Sequence, residues 1–207
     1  MARDLSAIKK QLGELNKKYG TNVVGIGKDM KEQLKIEYIK TPSLELNAML
    51  GGGFAKGKVI EVYGPNSSGK TSLLLNTIAY NQKNDPNFTA GWFETEGSIT
   101  SDDIEKFGID MDRFVYWDQR DITSEQGLDI LIDTVFSGNF DMICLNSIAG
   151  LCCKSELEKG VEGNDIAVNA RNLSKLFRIV TAQASKHKTT LCFVNQLRLK
   201  IGVMFGN

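Results

Sequence analysis

Gly64-Pro65-Asn66-Ser67-Ser68-Gly69-Lys70-Thr71 matches the phosphate-loop spacing G-x-x-x-x-G-K-[ST] at every fixed position. A loop bounded by glycines curls so that its backbone N–H groups point inward. The free N–H groups of a following helix add to the same positive concavity. Lys70 brings a mobile ammonium to the β- and γ-phosphates of a nucleoside triphosphate, and the Thr71 hydroxyl is placed to ligate Mg²⁺. Ser72 continues the first helical turn, so Gly64 to Ser72 form the candidate nucleotide-binding set. A second glycine pair, Gly25-Ile26-Gly27, has no strand–helix context and is not read as a dinucleotide fingerprint.

Chemistry at a phosphate needs side chains delivered from elsewhere, and three apolar runs end in suitable polar groups. Trp92-Phe93 precedes Glu94-Thr95-Glu96, Met142 to Leu145 precedes Asn146-Ser147, and Leu191 to Val194 precedes Asn195-Gln196. The elements that must position them follow from periodicity. A β-type run, 59–63, leads into the loop, and a helix continues to about Gln82. Strands are expected at 89–93, 115–117, 142–145 and 190–194. Helices are expected at 101–107, from an N-capping Ser124 to about Phe136, and from about Ile166 to Lys186. The stretch 151–165 reads as a mobile surface loop. Thr41 to Leu50 reads as a capped helix with Pro42 at its first position. Strands alternating with helices predict an α/β fold with a mostly parallel, doubly wound sheet. Ligands of such sheets sit off the carboxyl ends of the strands, where Glu94, Glu96, Asn146 and Gln196 would meet the phosphate loop.

Ahead of this core, Leu5, Ile8, Leu12, Leu15 and Tyr19 recur at helical spacing with lysines between them, and Gly20 is a stop signal. The chain therefore divides into residues 1–35, an amphipathic helix with a polar linker, and 36–207, the α/β core. Apolar residues make up 42% of the 207, enough for a real core. No apolar run approaches ~18 residues, which excludes a spanning helix, and the N-terminus lacks the apolar centre of a signal peptide. Cys144, Cys152, Cys153 and Cys192 have no metal-type spacing and read as reduced thiols of a cytosolic protein. Net charge is zero but uneven: Glu94 to Asp141 hold thirteen acids against three bases, while Ile166 to Asn207 hold seven Lys or Arg and no acid. That basic end suits a polyanion, or is an ordinary solvated face.

Four strings together resemble the bacterial RecA recombinase family. They are the phosphate loop, Phe93-Glu-Thr-Glu96, Asn146-Ser-Ile-Ala-Gly-Leu151, and Asn195-Gln-Leu-Arg-Leu-Lys-Ile-Gly-Val-Met-Phe-Gly-Asn207. The last is the most specific, because ring helicases and clock-type ATPases of the same superfamily are not expected to carry it. The resemblance covers nearly the whole chain. It implies a RecA-type P-loop ATPase core that binds ATP with Mg²⁺, polymerises on single-stranded DNA and pairs it with a homologous duplex in the bacterial cytoplasm. Carried over by position, Lys70 and Thr71 are phosphate and Mg²⁺ ligands, and Glu96 resembles the general base that orients the attacking water. Gln196 resembles the sensor between the γ-phosphate and the second DNA-binding loop. Residues 156–166 correspond to the first DNA-binding loop. Arg171, Arg178, Arg198 and Lys200 correspond to backbone-contacting cations, which give affinity without sequence preference. Ile201 resembles the wedge between base triplets, with Ile166 as its counterpart, and Met204 and Phe205 lie in the same loop. The N-terminal helix resembles the one that docks on a neighbouring subunit of the filament.

Three departures stand out. The acid expected at the end of the Mg²⁺-side strand is Asn146, which keeps hydrogen bonding and loses the charge. Metal-dependent turnover is expected to be weakened, and Asn146→Asp to raise it. Residues 97–103 lack the aromatic that stacks on adenine in the family. Asn207 falls inside the second DNA-binding loop, so the following core strands and the C-terminal domain of the family lie beyond it. A fragment, exon or split gene, phage-encoded or not, fits that pattern, and such a sheet keeps an unpaired edge. Two readings follow: a DNA-dependent ATPase and strand-exchange protein, or a truncated ATP- and DNA-binding module that co-assembles with a full-length recombinase.

Overall fold

The computed structural model describes residues 5–20, 24–31, 34–159 and 166–197, with the side chains of Ile166 and Ala167 left aside. Two compact units divide the chain, 1–37 and 38–207.

In the first unit α1 spans Leu5–Tyr19, and none of its residues is buried. Leu12 and Leu15 are half-buried, while Leu5, Ile8 and Tyr19 stay exposed. Asn16 holds the returning chain: its amide donates to the Val24 carbonyl at 2.8 Å, and its Oδ1 accepts from the Val24 N–H at 3.1 Å. Residues 26–30 then form a turn closed by Met30 N–H on the Ile26 carbonyl.

The second unit opens with β1 (Tyr38–Ile39), α2 (Leu44–Met49) and β2 (Phe54–Ala55), with β1 and β2 paired antiparallel. The main sheet takes β3 (Val59–Gly64), β4 (Ala90–Glu94), β5 (Phe114–Asp118), β6 (Met142–Asn146) and β7 (Thr190–Gln196). They lie in the order β3-β7-β6-β4-β5, every pair parallel. Helices α3 (Lys70–Asn84), α4 (Ser101–Lys106), α5 (Ser124–Ser137), α6 (Lys154–Lys159) and α7 (Ile166–His187) make the crossovers.

Alternation along the strands builds two cores. Trp92, Met142, Cys144, Cys192 and Val194 face Leu74, Leu75 and Ile78 of α3. Phe93, Ile143, Leu145, Leu191 and Phe193 face Leu128, Leu131 and Val135 of α5 and Leu176 and Val180 of α7. Each such side chain is worth about 1.5–3 kcal/mol of transfer free energy, which is what seats the helices on both faces. Phe93 stacks on Trp117 at 4.4 Å and Phe177 meets Phe193 edge-on at 5.1 Å. The doubly wound α/β sheet expected from the sequence is the sheet observed.

Local readings needed correction at several points. The helix expected to start at Pro42 is capped two residues later than Thr41, by the Ser43 hydroxyl accepting from Leu46 N–H at 3.2 Å. Thr123, not Ser124, caps α5, because Gln126 reaches back to the Thr123 N–H and completes a capping box. The loop read at 151–165 contains α6, and its start is tied down. Leu151 and Cys153 are buried, Ser124 N–H donates to the Cys152 carbonyl at 2.7 Å, and Cys153 N–H to Glu156 at 2.8 Å. Strand β3 is half-exposed, since among the described residues its neighbour is β7 alone. No described helix is long and apolar enough to cross a membrane.

Candidate functional site

Val59 to Gly64 form a strand because Val59, Ile60, Val62 and Tyr63 are β-branched or aromatic, and Gly64 ends it where the chain must turn sharply. In the loop that follows, Ser67 (φ 58°) and Gly69 (φ 84°) take left-handed backbone. Such residues between ordinary ones turn successive N–H groups to one side, the arrangement that makes an anion nest. Gly69 is also the N-cap of α3 and offers no side-chain acceptor, so the opening N–H groups of that helix stay available to an external anion. Lys70 crosses the loop, its ammonium donating to the carbonyls of Gly64 (3.2 Å) and Pro65 (2.7 Å). Phosphate oxygens would be stronger acceptors for that ammonium.

One hydrogen-bonded chain runs from this loop across the strand ends, and a second lies beside it. In the first, Thr71 Oγ1 donates to Asn146 Oδ1 at 3.3 Å, and Asn146 Nδ2 donates to Glu94 Oε2 at 3.0 Å. Glu94 is fully buried. It also accepts from Trp92 Nε1 (2.9 Å), Glu96 N–H (3.1 Å), and Ser98 N–H and Oγ (3.2 and 3.3 Å). In the second chain, Glu96 Oε1 accepts from the Ser147 hydroxyl and from Gln196 Nε2, the latter at 2.7 Å. Thr95 fixes Ser147 from both sides, accepting its N–H and donating to its carbonyl, both at 2.9 Å. The Asn146–Ser147 peptide is cis.

Lys70, Thr71, Asn146, Glu96 and Gln196, expected to converge, therefore do lie in one place. Glu94 was noted as a strand-end acid but given no task, and the sequence around it carries no further signal. Beside the site, the Arg120 guanidinium holds the Asp118 carboxyl down to about 2, and a Cβ on Gly97 would come within 3.0 Å of Arg120 Cδ. A cleft of about 300 Å³ lined by Thr95, Arg120, Gly150 and Cys152 involves no residue of the phosphate loop.

Among the described residues no group of three His, Cys, Asp or Glu could hold a metal unaided. Mg²⁺ on a triphosphate does not need one, because phosphate oxygens and waters fill most of its shell. The Thr71 hydroxyl, its proton turned to Asn146, presents free lone pairs at the mouth of the loop. The residues fit Mg²⁺ delivered with nucleotide.

A family model described as the RecA N-terminal domain matches residues 6–207. The chain belongs to that RecA family. It is 39% identical over 202 residues to "Protein RecA" of Mycoplasmopsis pulmonis, covering 97% of this chain and 58% of the relative. It is 38% identical over 205 residues to "Protein RecA" of Bacteroides thetaiotaomicron, covering 98% and 60%. The chain thus spans about three fifths of the length of these curated relatives. Of the residues that the RecA resemblance assigned to DNA, Arg171 and Arg178 are exposed on α7, seven positions apart and so on nearby faces. The Ile166 side chain, Arg198, Lys200, Ile201, Met204 and Phe205 lie outside the described residues.

Proposed function

We propose that this chain is the nucleotide-binding part of an ATP-dependent recombinase of the RecA family, acting in the bacterial cytoplasm. In this reading it binds ATP, engages single-stranded DNA, and takes part in pairing it with a homologous duplex. The observation that carries the proposal is Glu96, whose carboxylate accepts from both Ser147 and Gln196, the latter paired in register with Gly64 at the start of the phosphate loop.

The backbone N–H groups of residues 66–72 and the Lys70 ammonium hold the β- and γ-phosphates; Pro65 has no N–H to give. Bound Mg²⁺ would neutralise developing charge on those phosphates, with Thr71 as its protein ligand. Glu96 orients and deprotonates the attacking water, and the Ser147 hydroxyl holds its carboxylate in place. Gln196 is bonded to that same carboxylate and stands at the end of β7, from which residues 198–207 run on. A γ-phosphate that draws the Gln196 amide away from Glu96 would shift the end of β7, and DNA held by Arg198, Lys200, Ile201, Met204 and Phe205 would shift it in return. Arg171, Arg178 and Ile166 contribute a second DNA contact. The N-terminal helix, whose Leu5, Ile8 and Tyr19 remain exposed, docks on a neighbouring copy in a filament.

The test is ATP hydrolysis by the purified chain with and without an unpaired oligonucleotide. Turnover stimulated by DNA supports the recombinase reading, and absence of both nucleotide and oligonucleotide binding at low salt removes it. Asn146 favours a second reading, a module that binds ATP and DNA without useful turnover and co-assembles with a full-length recombinase. Retention of nucleotide and DNA with no hydrolysis would select it.

A further inference from the structure

The strand end that would be expected to carry an acid carries Asn146, yet the negative charge is 3.0 Å away, on the tip of the adjacent strand. Parallel pairing of β4 with β6 sets Glu94 opposite Asn146 in register. Each of the five groups around the Glu94 carboxylate donates to it: the Trp92 indole, the Asn146 amide, the Glu96 N–H, and the Ser98 N–H and hydroxyl. That is the inventory an acceptor-only carboxylate requires. Among the described residues none of the ion pairs includes Glu94, so its buried charge is met by dipoles alone. The orientation of Asn146 is forced by this neighbour. Turning the amide over would aim Oδ1 at the carboxylate and strand the Thr71 hydroxyl without its acceptor. With Nδ2 on Glu94, the amide carbonyl is polarised toward Thr71, and hydrogen bonds in series strengthen one another.

We propose that Glu94 is a positioning residue for the nucleotide-bound metal, supplying through the Asn146 amide the negative charge that residue 146 itself lacks. The inference rests on the nucleotide-binding reading and adds to it a relay Glu94–Asn146–Thr71. Asn146 is then not a lesion in the site but a neutral link between a buried acid and the Thr71 hydroxyl. Such outer partners of metal-binding groups commonly govern affinity by about 10- to 100-fold.

The experiment uses the whole chain and two readouts. Fluorescent mant-ADP is titrated in EDTA, and Mn²⁺ is titrated by electron paramagnetic resonance into the chain saturated with ADP. Glu94→Gln should leave metal-free mant-ADP binding intact and weaken Mn²⁺ binding about tenfold. Glu94→Gln/Asn146→Asp, which keeps the hydrogen-bond chain and moves the charge by one residue, should recover most of that loss. Wild-type Mn²⁺ affinity in Glu94→Gln would overturn the relay. If Glu94→Gln fails to fold, Asn146→Ala decides, because it cuts the link and leaves Glu94 in place. Reduced Mn²⁺ affinity there supports the relay, and unchanged affinity ends it. Failure of the unaltered chain to bind mant-ADP would instead remove the nucleotide reading itself.

Discussion

Asn146 and Glu94 sit side by side at the tips of parallel strands, the amide of one donating to the carboxylate of the other at 3.0 Å. This contact adds a stability cost to the Asn146→Asp change that the residue types alone do not show. Replacing Asn146 with Asp does not merely restore a missing charge; it sets two buried carboxylates against each other.

Asn146→Asp alone is therefore expected to destabilise the fold, by about 3 kcal/mol, the scale of an uncompensated buried charge. For a chain of this size that lowers the melting temperature by roughly 6–12 °C. Adding Glu94→Gln should return most of it. Thermal denaturation of the two variants, followed by circular dichroism, checks both statements. An Asn146→Asp variant as stable as the parent would mean that the two side chains part in solution.

Lys70→Ala removes the ammonium that lies 2.7 Å from the Pro65 carbonyl and, with nucleotide present, would serve the phosphates. Loss of a charge-assisted hydrogen bond of about 1.5–3 kcal/mol predicts about 10- to 100-fold weaker ATP binding. Little change in melting temperature is expected, since the side chain is only partly buried at the start of α3. Equilibrium dialysis with labelled ATP measures it.

Glu96 and Gln196 should separate chemistry from signalling. Glu96→Gln is expected to lower ATP turnover by about 10²- to 10⁴-fold, the range for a lost general base, without loss of ATP binding. Gln196→Ala breaks the 2.7 Å bond to Glu96 and should remove the stimulation of turnover by single-stranded DNA more than the basal rate. A Gln196→Ala variant still fully stimulated would show that the DNA signal takes another route.

Acid sensitivity has an identifiable contributor at the end of β5. Arg120 holds the Asp118 carboxyl down to about 2, chiefly by their hydrogen bonds and then by charge. A carboxyl depressed in the folded state stabilises it above the ordinary pKa near 4, and that contribution fades as pH falls from about 4 to about 2. Both side chains are substantially exposed, so the contribution is small and weakened by salt. Asp118→Asn should flatten the pH dependence of the urea midpoint between pH 5 and 2, and high salt should flatten it in the parent chain.

Thiol chemistry should report burial. Burial pushes the Cys144 thiol well up, and Cys144 and Cys192 face each other across β6 and β7 in the core. Cys152 is partly exposed, and its thiol is raised by burial and by the nearby Glu156 carboxylate. Iodoacetamide at neutral pH should modify Cys152 slowly and spare Cys144, Cys153 and Cys192, whereas urea should release all four. Mass spectrometry of the peptides reads out the order.

Much of the fold was legible because its signals are local. The phosphate loop lies within eight consecutive residues, and the strands and helices around it announce themselves by period. Capping was less legible where two hydroxyl residues compete, as at Thr123 and Ser124, since the choice depends on whether Gln126 reaches back. The segment at 151–159 read as loop because it is polar and glycine-flanked; its anchors are Ser124 and Glu125, on a different helix. Glu94 looked like any acid at the end of a strand.

By itself the sequence determined the parallel α/β class and the family, since each is written in short strings and local periods along the chain. The tertiary structure alone decided what Glu94, Ser147 and Gln196 touch. Glu94 and Asn146 are 52 residues apart, and Gln196 is 100 from Glu96. Contacts over such distances exist only once parallel pairing has set the strand register. A shift of one residue in that register would send the same side chains to opposite faces of the sheet.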